Sequence, residues 1–138
     1  MCEWCTAGLA ALRRHEHEIN QLNVYPVPDG DTGTNLVRTL TAAWEAVTGD
    51  AAQSVTPEEP SAGATLQALA RGALLGARGN SGVILAQILR GLADALAGAR
   101  QVSGPELADA FTVAAKAGYT AVATPVEGTI LSVASAAA

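Results

Sequence analysis

Residues 23–35 read Asn-Val-Tyr-Pro-Val-Pro-Asp-Gly-Asp-Thr-Gly-Thr-Asn, and no other stretch of the chain is so restricted in what it can become. Two prolines one residue apart exclude both a helix interior and a central strand, because each fixes φ and lacks a backbone N–H. Asp, Gly and Thr follow immediately before an apolar-periodic segment, the pattern of a rigid loop that ends at a helix N-terminus. Asp29 and Asp31 are separated only by Gly30, and a glycine-broken turn can aim both carboxylates at one point. Two such charges repel unless a cation lies between them. Hard oxygen ligands on a short loop suit Mg²⁺, which keeps several waters and shares its other positions with phosphate oxygens. The backbone N–H groups of Thr32, Gly33, Thr34 and Asn35 are expected to be unpaired donors of the following helix, with its positive dipole end facing the same space. The same residue types are ordinary turn formers, so a plain Asp-Gly turn with Asp or Thr as N-cap is the competing reading.

Other acidic or phosphate-binding motifs fit poorly. Counted from Asp29, the fifth, sixth and twelfth places of an EF-hand loop hold Gly33, Thr34 and Leu40 in place of a ligand, a glycine and a glutamate. An aspartate nucleophile at the end of a buried strand is a weak alternative, given Pro26 and Pro28. The single lysine, Lys116, is remote from the loop, and no Gly-x-x-x-x-Gly-Lys-Ser/Thr run occurs, so a P-loop is excluded.

The chain of 138 residues is long enough for one domain with a real core, and 49% hydrophobic against 4% aromatic residues describes helices packed through Ala, Leu and Val. A net charge of -5 offers no basic face to a nucleic acid. No apolar run reaches the ~18 residues of a membrane span and no signal-peptide pattern opens the chain, so a cytoplasmic protein is expected. Cys2 and Cys5 form a lone Cys-x-x-Cys without the further ligands or βαβ context that zinc or redox chemistry needs. His15 and His17 lie in a charged run that reads as the solvated face of a helix.

Periodicity predicts a first helix over residues 4–21, with Leu9, Leu12 and Ile19 toward the core, and a second through Leu36, Leu40, Ala43, Trp44 and Val47, ending near Gly49. Residues 50–62, with Pro57 and Pro60, read as a surface loop. A third helix from Ala64 follows Leu66, Leu69, Ala70 and Ala73 and stops at the glycine-rich residues 76–82. There Ser81 is expected to cap a fourth helix over residues 81–98 and to offer a hydroxyl and N–H groups to a phosphate; tight helix packing accounts for the glycines equally well. Arg78 is the one cation in this loop, available to phosphate or to a surface ion pair. In the fourth helix Leu85, Ile88, Leu89, Leu92 and Leu96 share one face, with Gln87, Arg90 and Asp94 turned away. Ser103-Gly104-Pro105-Glu106 is a capping-box signature for a fifth helix through Leu107, Phe111, Ala114 and Val122, closed by Thr124-Pro125. Residues 127–129 open a sixth.

Three stretches, residues 22–35, 76–85 (Gly-Ala-Arg-Gly-Asn-Ser-Gly-Val-Ile-Leu) and 125–131 (Pro-Val-Glu-Gly-Thr-Ile-Leu), resemble in the same order the nucleotide-binding (DhaL-like) domain of the dihydroxyacetone kinase family, and most closely its fatty acid kinase branch. The resemblance implies an all-α fold, an antiparallel helical barrel or bundle with its nucleotide site in loops at one end. About six helices of a larger domain would be present, making residues 1–138 a single, C-terminally truncated domain. It implies ATP or ADP held through Mg²⁺, with Asp29 and Asp31 at two of three metal-ligand places and Asn23, which brings no charge, at the third; one or two metals remain open. By the same resemblance Thr32, Gly33, Thr34 and Asn35 form one phosphate-contacting turn, Gly79, Asn80, Ser81 and Gly82 a second, and Thr129 and Ile130 lie beside the nucleotide. The implied activity is phosphoryl transfer from ATP to a fatty acid, or otherwise dihydroxyacetone, presented by a separate acceptor protein. No catalytic group beyond the metal ligands is identified, and a homodimer is compatible with this reading. The alternatives are a non-catalytic MgADP-binding module and a helical scaffold.

Overall fold

The computed structural model describes residues 2–24, 28–49, 60–127 and 129–138. These form six helices and no strands: α1 (Cys2–Leu22), α2 (Thr32–Thr48), α3 (Ala62–Gly76), α4 (Gly79–Ala95), α5 (Gly104–Thr120) and α6 (Ile130–Ala137). The expectation of an all-helical antiparallel bundle is met. Tyr25, Pro26 and Val27 of the first loop, residues 50–59 of the expected surface loop, and Gly128 lie outside the described residues.

Leucine and alanine stripes at helical spacing become the core. Leu9 of α1, Leu40 and Ala43 of α2, Leu66, Leu69 and Ala73 of α3, Ala86, Leu89 and Leu92 of α4, and Ala110 and Ala114 of α5 are buried in one cluster, and Cys5 is buried with them. Small residues set the distances between axes. A Cβ at Gly72 would meet the Ala42 carbonyl oxygen at 2.7 Å, and one at Gly91 would meet the Ala114 backbone at the same distance, so α3 lies directly on α2 and α5 on α4. Backbones this close let short side chains fill the core at native density.

The contacts fix direction. Gly76 faces Ala42 while Gly72 faces Ala46, and Gly118 faces Ile88 while Gly91 faces Ala117, so α2/α3 and α4/α5 are antiparallel. Gly33 against Glu16 and Gly8 against Leu40 make α1/α2 antiparallel as well. Helix α4 also packs on α2, and α6 on α5. The N-termini of α2, α4 and α6 therefore open at one end of the bundle, with the C-termini of α1, α3 and α5.

Several boundaries differ from the periodicity, α4 among them, which spans Gly79–Ala95 where residues 81–98 were expected. Helix α3 begins at Ala62, because Ser61 caps it by accepting from the Ala64 N–H at 3.2 Å, while the Ala62 and Gly63 N–H groups donate to the carbonyls of Arg100 and Ala99. Helix α5 ends at Thr120, leaving Val122 beyond it: the Ala121 and Val122 N–H groups donate to Gly118 and Tyr119, three residues back, and tighten the last turn. Leu107, named in the pattern of the fifth helix, lies in α5 but is 40% exposed, and α5 buries Ala110, Ala114, Ala115 and Gly118. The Ser103 N–H and hydroxyl both donate to the Glu106 carboxylate, at 2.8 and 2.6 Å, realising the capping signature and holding that carboxyl below its ordinary value.

Leu69 has no exposed surface, so Leu69→Ala is expected to lower the unfolding free energy by about 2–5 kcal/mol in urea titration. Leu75→Ala, at a position 75% exposed, should change it by less than about 0.5 kcal/mol.

Candidate functional site

Two loops meet at the open end, and α2 joins them. In the first, the Asn23 side-chain amide donates to Asp29 Oδ1, bringing two of the three expected metal ligands into contact. Gly30 has φ 65°, the left-handed conformation that lets the chain reverse between Asp29 and Asp31. Asp31 is the N-cap of α2 but makes no capping bond through its carboxylate. Among the described residues the ion pair is His15 with Glu18, so neither Asp29 nor Asp31 is neutralised by a cationic side chain. No group of three or more His, Cys, Asp or Glu side chains suited to a metal occurs among the described residues. Any cation here would depend on two carboxylates and the Asn23 amide oxygen. That donor set fits Mg²⁺, which takes few protein oxygens and keeps waters.

The first turn of α2 departs from expectation. The N–H groups of Gly33 and Thr34 are not open: both donate to Asn20 Oδ1 of α1, at 2.7 and 3.2 Å. The Asn35 N–H donates to the Asp31 carbonyl at 2.8 Å. Thr34 is also committed, since its hydroxyl donates to Glu16 Oε1 at 2.8 Å and accepts from Asn20 Nδ2 at 3.1 Å. A helix start lying against a preceding helix can be capped from outside its own chain segment, which local spacing does not reveal. Thr32, half-buried, has no side-chain hydrogen bond with the described residues.

The second loop is open where the first is closed. Helix α4 starts at Gly79, and its N-cap is Arg78, not Ser81; Ser81 lies in the first turn, half-buried. Arg78 makes no capping bond, and the N–H groups of Gly79, Asn80 and Ser81 have no acceptor among the described residues. Gly79 has φ 58°, and a Cβ there would strike the Asn35 amide. Gly82, buried, packs on Thr39. Among the described residues the Arg78 guanidinium makes no ion pair; its Nη1 donates to the adjacent Ala77 carbonyl at 3.0 Å.

Asn35 and Thr39, one turn apart on α2, link the loops. Thr39 has no exposed surface, and its hydroxyl accepts from the Arg78 N–H at 3.2 Å. Asn35 is 6% exposed, and its amide, beside Gly79, makes no hydrogen bond with any described residue.

Thr129 and Ile130 stand at the same end but apart from this pair of loops. Thr129 caps α6, accepting from the Leu131 N–H at 3.3 Å and donating to the Val126 carbonyl at 2.8 Å. Beside them Glu127 accepts from Tyr119 Oη at 3.1 Å and Ser132 Oγ at 2.6 Å, which ties the end of α5 to α6. The Ser132 and then the Tyr119 hydrogen bonds hold the Glu127 carboxyl below its ordinary value of 4.5.

Glu16, Asn20 and Thr39 were not singled out by motif. The usable signal was a polar residue on an apolar stripe: Glu16 and Asn20 prolong the Cys5, Leu9, Leu12 row of α1, and Thr39 interrupts Leu36, Leu40, Ala43 on α2.

An all-helical module whose helix N-termini gather two carboxylates, a buried amide and an open helix start at one end is a ligand-binding bundle. Within this chain the DAK2 domain family matches residues 26–138. The chain belongs to that family, the helical modules of the dihydroxyacetone kinase group. It is similar to uncharacterized proteins of Staphylococcus saprophyticus (41% identity, 99% of this chain and 23% of the relative), Staphylococcus epidermidis (42%, 95% and 22%) and Staphylococcus aureus (40%, 95% and 23%). The chain thus spans less than a quarter of the length of these curated relatives. No helix among the described residues is long and apolar enough to cross a membrane.

Thr39→Val keeps the shape of the side chain but leaves the half-buried Arg78 N–H without its acceptor, and should cost about 0.5–1.5 kcal/mol in denaturant titration. A depressed Glu127 pKa stabilises the folded state above the ordinary value of 4.5, and that contribution is lost as pH falls through the lower folded value. Ser132→Ala should move the Glu127 carboxyl upward in an NMR titration and flatten this acid limb of stability.

Proposed function

We propose that this chain is the nucleotide-binding part of a Mg²⁺-dependent phosphotransferase of the dihydroxyacetone kinase type, in its fatty acid kinase branch. It would hold ATP for transfer of the terminal phosphoryl group to an acceptor, a fatty acid carboxylate or otherwise dihydroxyacetone, carried by a partner protein or domain. The observation that carries the reading is the uncapped start of α4, whose first N–H groups have no acceptor among the described residues, beside the Asn35 amide at the meeting point of the two loops.

The two loops divide the work. At the start of α4, the N–H groups of Gly79, Asn80 and Ser81, the Ser81 hydroxyl and the helix dipole favour phosphate oxygens, with the Asn35 amide and Gly82 closing the cradle. Asp29 and Asp31, with Asn23 turning its amide oxygen inward, would hold magnesium beside it. When bound, the metal would neutralise charge on the transferring phosphoryl group. Thr32 faces the same space, while Gly33 and Thr34 serve by shaping the turn. Thr129 and Ile130, on the α6 side, would border the rest of the nucleotide. Catalysis of this kind is positioning and charge stabilisation, consistent with a chain in which no other catalytic group stands out.

Titration calorimetry with ATP and ADP, with and without Mg²⁺, tests the reading. Binding should require Mg²⁺ and be lost in an Asp29→Asn, Asp31→Asn double variant that still melts cooperatively. Nucleotide binding unchanged in that variant would overturn the assignment of the first loop.

A further inference from the structure

Both ends of the first loop are fastened to one residue. As the chain leaves α1, the Asn23 N–H donates to the Asn20 backbone carbonyl at 3.3 Å. As it returns into α2, the N–H groups of Gly33 and Thr34 donate to the Asn20 side-chain oxygen. We infer that Asn20 is a positioning residue, a clamp that pinches the loop carrying Asn23, Asp29 and Asp31 and reserves it for a cation by occupying the N–H groups that would otherwise attract an anion. The inference rests on the metal reading given above.

Donor and acceptor counting fixes the orientation. Two backbone N–H groups can only donate, so the Asn20 oxygen must face them and its NH₂ must face Thr34 Oγ1. The Thr34 hydroxyl then has to donate, and Glu16 Oε1 receives it. Glu16 and Asn20 are four residues apart on α1 and so share the face turned to the start of α2. The fit is close: a Cβ at Gly33 would strike the Glu16 carbonyl oxygen and stand 3.0 Å from Asn20 Oδ1. Aspartate at position 20 could still accept from both N–H groups, alanine could not. With those two donors satisfied, phosphate has less to gain at α2 than at α4, whose first turn has no such clamp.

The test compares wild type, Asn20→Ala, Asn20→Asp and a core control, Leu66→Ala, whose side chain is buried near the opposite end of α3. Two quantities are read: amide hydrogen exchange at Gly33 and Thr34 by NMR without ligand, and Mn²⁺ affinity in the presence of ADP by electron paramagnetic resonance. Asn20→Ala should speed exchange at both amides by about tenfold and weaken Mn²⁺ by at least about tenfold, the equivalent of one lost hydrogen bond or more. Asn20→Asp should restore slow exchange, and Leu66→Ala should lower the melting temperature while leaving Mn²⁺ affinity within about twofold. Asn20→Gln, which moves the amide outward by one methylene, should show the same two losses and serves if the alanine variant does not fold. Fast exchange at Gly33 and Thr34 in the wild type, or full Mn²⁺ affinity in Asn20→Ala, overturns the clamp. If the wild type binds no Mn²⁺ with ADP, the metal reading falls, and the exchange rates alone then decide whether Asn20 holds the turn.

Discussion

The approach of α2 to its neighbours is the constraint on which the rest depends. Glycines of α3 face the alanines of α2 with no room for a methyl group, and Gly33 lies against the carbonyl of Glu16 in α1. At such distances backbone groups and short polar side chains of one helix reach the backbone of the next. Thr39 can take the Arg78 N–H, and Asn20 can take those of Gly33 and Thr34, only because no bulk stands between. Larger side chains at these contacts would give a bundle of the same topology with its loops out of register. The Ala- and Gly-rich composition thus acts on function through a length, the separation of helix axes.

That packing gives two helix N-termini of the same polarity opposite characters. The start of α2 has the N–H groups of Gly33, Thr34 and Asn35 occupied and bears carboxylates; the start of α4 has N–H groups without acceptors among the described residues and no carboxylate in its first turn. On the proposed reading, charges of opposite sign would be favoured at the two helix starts, as a metal–phosphate pair requires. Asn35, on the helix between them, can serve either, since its amide carries both a donor and an acceptor.

Much of this was legible beforehand. The six helices follow from apolar spacing, glycine stops and the Ser103 to Glu106 cap, each a local signal. The Asp29, Gly30, Asp31 turn and the glycine-rich junction were visible as loops between helices because proline and glycine narrow the backbone so severely. The errors have one cause. Ser81 was read as a cap from neighbours in sequence, yet the position of α4's first turn is set by Thr39 and Asn35. Likewise, the donors at the start of α2 look free until α1 is laid against them.

By itself, then, the sequence determined the helical elements, the places where the chain must turn, and the kinds of chemical group those turns carry, since all three follow from interactions within a few residues. Only the tertiary structure decided which groups remain available. Whether an N–H at a helix start is open or occupied depends on hydrogen bonds between residues 13 to 39 positions apart, such as Gly33 to Asn20 and Arg78 to Thr39. Those bonds exist only once the glycine and alanine faces have brought the helices together.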